Sequence, residues 1–154
     1  MIKIINGDLL EAKEKYILHQ CNCLTNNAGG LALYLFLKFP YADVYKNRTS
    51  NDTLGTIKVC GNGKDQRYVI NAFAQYYPGP PKFQGIDVAG NREIYFQQCL
   101  DEVCKIQNLE SIAFPYLIGC GLAKGKWENY LKMIVDFSNL DCTKNVSVVI
   151  YKKD

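Results

Sequence analysis

Several common chemistries have nothing to stand on in this sequence. No apolar run is long enough to cross a membrane: the longest, LALYLFL at 31–37, falls far short of the about 20 residues a spanning helix needs. The opening MIKIINGDLL lacks the apolar stretch of a secretory signal. The seven cysteines are odd in number and none forms a C-x-x-C pair. This argues against a secreted disulfide framework and for reduced thiols in an intracellular, cytoplasmic or nuclear setting. The net charge is only +3. That is too weak to imply a nucleic-acid partner and equally compatible with a small anionic ligand. There is no internal repeat and no low-complexity tract. There is a single histidine, His19.

What is present reads as one domain spanning residues 1–154, long enough to bury a core. Short β-rich runs predict strands at 2–5, 16–22, 53–60, 67–76, 111–118 and 146–152. The stretch AGGLALYLFLKF (28–39) predicts a buried helix ended by Pro40. Apolar spacing predicts amphipathic helices over 91–107, with Asn91 as cap, and over 127–137. The proline- and glycine-rich segment 77–90 is a loop of a length that suggests function. Strands alternating with helices predict an α/β fold with helices on both faces of a sheet.

Two glycine turns carry the chemistry. The first is IGCGLAKGKW (118–127). It fails the P-loop pattern at Cys120 and Trp127, and fails the dinucleotide pattern at Lys124. Its glycines still let backbone N–H groups face a ligand, and the following helix offers unpaired N–H groups of its own. Lys124 and Lys126 are expected in that helix's first turn, where a bound anion would offset their unfavourable position. The alternative is a glycine-rich entry to an ordinary helix. The second turn, NNAGGLA (26–32), has the same plan. Two such turns at strand carboxyl ends can face one crevice, and two phosphate cradles suggest a diphosphate.

NGDLL (6–10), HQCNC followed by NAGGLA (19–32), NAFAQ (71–75) and PYLIGCGLAKGKWENY (115–130) occur in the order found in macro domains. The chain most resembles the branch of yeast-type ADP-ribose 1''-phosphate phosphatases, the terminal ADP-ribose-protein glycohydrolase, and related phage and antitoxin macro domains. The resemblance implies a three-layer α/β/α sandwich on a mixed sheet of six or seven strands. It implies a monomer that binds ADP-ribose or ADP-ribose 1''-phosphate and needs no cofactor or metal. ADP-ribosylated protein or nucleic acid is a further substrate class for the same site.

The same resemblance assigns ligand-binding positions. Asp8, with Leu9, would meet adenine, a carboxylate suiting its amino donor; Asp8 also fits a helix cap. Asn27, Ala28, Gly29, Gly30 and Leu31 would wrap the distal phosphate and ribose. Ile118, Gly119, Cys120, Gly121 and Leu122 would hold the diphosphate from the other side. Asn22 would address the distal ribose, and Tyr151 would flank adenine or ribose. His19 is either a general acid/base near that ribose or a strand histidine that orients the loop. His19, Cys21 and Cys23 imitate a metal set, but neighbours on one strand close a tetrahedral shell poorly. The glycohydrolase pattern calls for lysine at Gln75 and aspartate at Ala123. Neither residue present serves as nucleophile or base, which opens the alternative of a binding module without turnover.

Overall fold

The computed structural model describes residues 2–153. Six strands form one mixed sheet: β1 (Ile2–Asn6), β2 (Tyr16–Cys21), β3 (Ile57–Cys60), β4 (Tyr68–Phe73), β5 (Ser111–Pro115) and β6 (Ser147–Lys152). Their order is β1-β6-β5-β2-β4-β3. Every neighbouring pair is parallel except β3 with β4. The loops that follow β1, β2, β4 and β5 therefore leave the sheet along one edge, where α/β folds place their ligands.

Helix α2 (Ala89–Val103) and helix α3 (Trp127–Ser138) cover one face. Phe96, Leu100, Ile134 and Phe137 pack there against Leu18, Ile70, Phe114 and Ile150. Helix α1 (Gly30–Lys38) covers the other face, with Leu35 and Phe36 against Ile17, Val69 and Phe73. The α/β/α sandwich and the mixed sheet expected from the sequence are both present.

Several boundaries differ from expectation. Residues 53–56 and 116–118 lie outside the strands, although Gly55 and Thr56 still bond to Phe73 and Tyr116 to Tyr151 through the backbone. Helix α1 is not buried all round: Tyr34 is 63% and Leu37 69% exposed, because one sheet face lies beneath it and nothing described lies above. Asn91 is not a cap. Val88 holds that position, and Asn91 Nδ2 instead reaches back to the carbonyls of Gly85 and Ile86, at 3.5 and 3.4 Å. Lys124 and Lys126 are not in the first turn of α3 either. Lys126 is its N-cap, and Lys124 sits earlier, in a left-handed turn with φ 57°. Two of the cysteines meet in the fold: Cys104, at the end of α2, and Cys142 lie side by side with Cα atoms 5.8 Å apart. Their separation of 38 residues left no spacing signal in the sequence.

Candidate functional site

A cavity of about 720 Å³ opens at the common edge of β2, β4 and β5. That lies within the roughly 300–1,000 Å³ usual for small-molecule sites. His19, Asn22, Asn27, Gly29, Gly30, Leu31 and Gln75 line it, together with the run Ile118 to Leu122. So the two glycine turns, about ninety residues apart in the chain, do face one crevice. A Cβ built on Gly30 would come 3.0 Å from Leu122 Cδ1, which puts the turns in direct contact across the mouth.

The two turns present backbone differently. The first leads straight into α1. Its N-cap is Gly29, with no side chain to cap the helix, and the first N–H groups of an α-helix have no acceptor within it. Those of Gly30, Leu31 and Ala32 therefore head the cavity they line, with the positive end of the helix dipole behind them. Gly30 has φ 57°, which a side chain resists. The second turn is a coil of loop. Among the described residues, no acceptor receives the N–H of Gly119, Gly121 or Leu122. Gly119 has φ 73°, and a Cβ there would meet the buried Tyr130 ring at 2.9 Å.

Beneath the turns the polar side chains are committed to one another. His19 is 1% exposed. Its Nε2 lies 2.6 Å from Asn71 Oδ1, while Asn71 Nδ2 donates to the Lys58 carbonyl at 3.3 Å. That fixes the amide and puts the imidazole proton on Nε2. Burial lowers the His19 pKa from its ordinary 6.5 to about 4, against the Asn71 hydrogen bond that raises it. The ring is neutral near pH 7. Asn22 Oδ1 accepts from the N–H groups of Leu24 and Thr25, each at 3.0 Å, and its own N–H donates to Tyr45 Oη at 2.8 Å. Asn22 thus shapes the entry to the first turn. Cys120 is half-buried, and burial pushes its thiol up to about 11, so it is no ready nucleophile. Among the described lining residues there is no Asp or Glu.

Four of the ligand-binding positions that the resemblance implied, Asp8, Leu9, Ala28 and Tyr151, lie outside the cavity wall. Asp8 caps a short 3-10 helix, its Oδ1 accepting from the Leu10 N–H at 2.9 Å. Its Oδ2 lies 3.4 Å from Lys153 Nζ. Leu9 is buried in the α1-side core, and Ala28 packs against that core. The Tyr151 hydroxyl turns away to Glu14 Oε1 at 2.5 Å. Asp8 and Tyr151 do share the sheet edge, beyond β5, at the carboxyl ends of β1 and β6.

The sequence reading missed Arg92 and Asp87. Asp87 receives the N–H groups of Tyr76 and Tyr77 at 2.8 and 2.9 Å and pairs with Arg92 Nη2 at 2.6 Å. Burial raises the Asp87 pKa, but Arg92 and the two N–H groups outweigh it and hold the carboxyl below its ordinary value. A signal existed: Arg92 falls on the same helical stripe as Phe96 and Cys99, an odd place for a charge.

No protein-family profile matches the chain. The chain is 28% identical to an ADP-ribose 1''-phosphate phosphatase of Debaryomyces hansenii, an alignment covering 97% of this chain and 99% of the yeast protein. Among solved structures it is similar to the macrodomain of Thermus aquaticus DarG, with a TM-score of 0.73 at 26% identity. It is similar too to the macrodomain of Mycobacterium tuberculosis DarG, with a TM-score of 0.77 at 23% identity. Each of these two superpositions covers 98% of this chain and 97% of the other.

Proposed function

We propose that the chain is a macrodomain whose cleft binds ADP-ribose or a derivative and hydrolyses ADP-ribose 1''-phosphate, or an ADP-ribosylated substrate, at the distal ribose. One observation carries the reading: the N-terminus of α1, which no side chain caps, and the N–H groups of Gly119, Gly121 and Leu122, unpaired among the described residues, converge on one cavity. Such donors suit a diphosphate, one phosphate to each turn. Asp8 and Tyr151 then stand at the adenine end. Asn22, Gln75 and the 77–81 loop stand at the distal end.

Hydrolysis of ADP-ribose 1''-phosphate in this cleft falls to a water held by the ligand's own phosphates and the backbone donors: it attacks C1'' and expels phosphate by C–O cleavage, or attacks the 1''-phosphorus and expels the 1''-oxygen of ADP-ribose by P–O cleavage, a phosphate oxygen of the ligand taking the water's proton in either case. His19 is assigned a positioning part: neutral and donating to Asn71, it supports the strand that leads into Asn22. It has no proton to give as an acid near pH 7 beyond the one already committed. Asn22 acts through the loop it folds. The absence of a carboxylate among the described lining residues favours a second reading, in which the cleft holds ADP-ribose on a partner without turnover. ADP-ribosylated protein or nucleic acid is the partner class for that reading and the extended substrate for the first.

Two measurements decide. Calorimetry with ADP-ribose should give micromolar or tighter binding, and no binding at millimolar ligand would refute the site. Phosphate release from ADP-ribose 1''-phosphate should then proceed with turnover. Saturable binding without release would select the reader.

A further inference from the structure

Arg92 is the fourth residue of α2 and is 1% exposed. Its guanidinium is spent on acceptors from two loops that border the cavity. Nη1 donates to the carbonyl of Gly79 at 2.8 Å and to that of Ala123 at 3.3 Å. Nη2 donates to the carbonyls of Tyr77 at 3.1 Å and Pro80 at 3.2 Å, and to Asp87 Oδ2 at 2.6 Å. Nε donates to Asp87 Oδ1 at 3.1 Å. Gly79 and Ala123 both line the cavity, so one side chain spans the seam between its β4 and β5 walls.

The contact continues inward. The Tyr77 carbonyl that Arg92 holds also accepts from Gln75 Nε2 at 2.9 Å. Gln75 Oε1 in turn accepts from Gln20 Nε2 at 2.8 Å. The carbonyl at one end dictates the orientation of both amides, because each has only one way round that makes both bonds. The chain ends at Gln20 Oε1, a buried acceptor with no donor, next to Gly119, whose built Cβ would lie 3.2 Å away. A buried acceptor left open in a cavity wall asks for a donor from a water or a ligand hydroxyl.

We infer that Arg92 is a positioning residue for the distal end of the cleft. By clamping the 77–81 loop to Ala123 and fixing the Gln75–Gln20 amide pair, it selects ligands that carry a hydroxylated sugar beyond the diphosphate. This rests on the proposed ADP-ribose reading, which places the distal ribose at the Gln75 end. Arg92 touches no ligand. Its effect is confined to the part of the ligand that the clamped loops surround.

The test is Arg92→Lys, which keeps a cation beside Asp87 but loses the planar fork that reaches several carbonyls at once. ADP-ribose and ADP are titrated calorimetrically into the variant and the parent, with near-ultraviolet circular dichroism to establish that both are folded. ADP lacks the distal ribose. Affinity for ADP-ribose should drop about tenfold, as small misplacements of a site do, while affinity for ADP stays at the parent value. Should the variant not fold, Gln75→Met breaks the amide chain without touching a charge and should show the same split. Equal loss for both ligands, or no loss for either, overturns the inference. A parent protein that binds neither ligand overturns the ADP-ribose reading, and this inference with it.

Discussion

The two glycine turns look alike in sequence and are built on different principles. The Gly29–Gly30 turn is a helix start left deliberately bare, so its donors come from α1 and are aligned by it. The Gly119–Gly121 turn is separated from α3 by Leu122 to Lys126, and the N-terminus of α3 heads a different, smaller cavity, lined by Lys126, Asn129 and Pro81. One turn thus presents a helix end and the other presents loop amides held by packing against Tyr130. The same residue type serves two tasks. Gly30 keeps a helix mouth clear, and Gly119 fits a backbone against a ring.

That difference predicts unequal tolerance. Gly119→Ala forces a left-handed side chain onto Tyr130 and should cost about 2 kcal/mol or more. Gly121→Ala meets nothing within 4 Å and should melt like the parent. Equal melting temperatures for the two would mean that the second turn is not fixed by Tyr130.

An imidazole lies beneath the first turn. His19 has its pKa lowered from 6.5 to about 4, so the unfolded chain takes up a proton that the folded one refuses. Its contribution is whole above pH 6.5 and lost as the pH falls to about 4, at up to about 1.4 kcal/mol per pH unit. Denaturant titrations of His19→Gln should show a flatter pH profile over that window. An unchanged slope would remove the histidine from the account.

The smallest effect is expected where the turns touch. Leu122 is 62% exposed and closes the mouth over Gly30. Leu122→Ala should weaken ADP-ribose binding by only about threefold, since little apolar surface is lost. A hundredfold loss would make that contact, rather than the backbone donors, the main source of affinity.

Much of this was legible in the sequence. The α/β alternation, both glycine turns and their convergence followed from strand runs, glycine placement and the rule for strand carboxyl ends. The exposed side of α1 was not legible, because apolar spacing says nothing about whether a second layer exists. Nor were the partners of His19 and Asn22, since Asn71 and Tyr45 reach them only through tertiary packing. Lys124 was misplaced because glycines mark where a helix is possible, not where it begins. Arg92 was overlooked since four of its acceptors, those of Gly79, Ala123, Tyr77 and Pro80, are backbone carbonyls, which carry no residue code.

The bare mouth of α1 is the centre of the account, and capping tests it. Gly29 has an extended backbone that any residue adopts, φ −135° and ψ 168°, and Gly29→Asp would place a carboxylate on the helix N–H groups. The fold should gain only about a few tenths of a kcal/mol, glycine being itself a tolerated cap, while ADP-ribose affinity falls at least about tenfold. Lys126→Ser, capping α3 in the same way, should leave that affinity unchanged. ADP-ribose bound equally well by Gly29→Asp and the parent, measured by calorimetry, would contradict it.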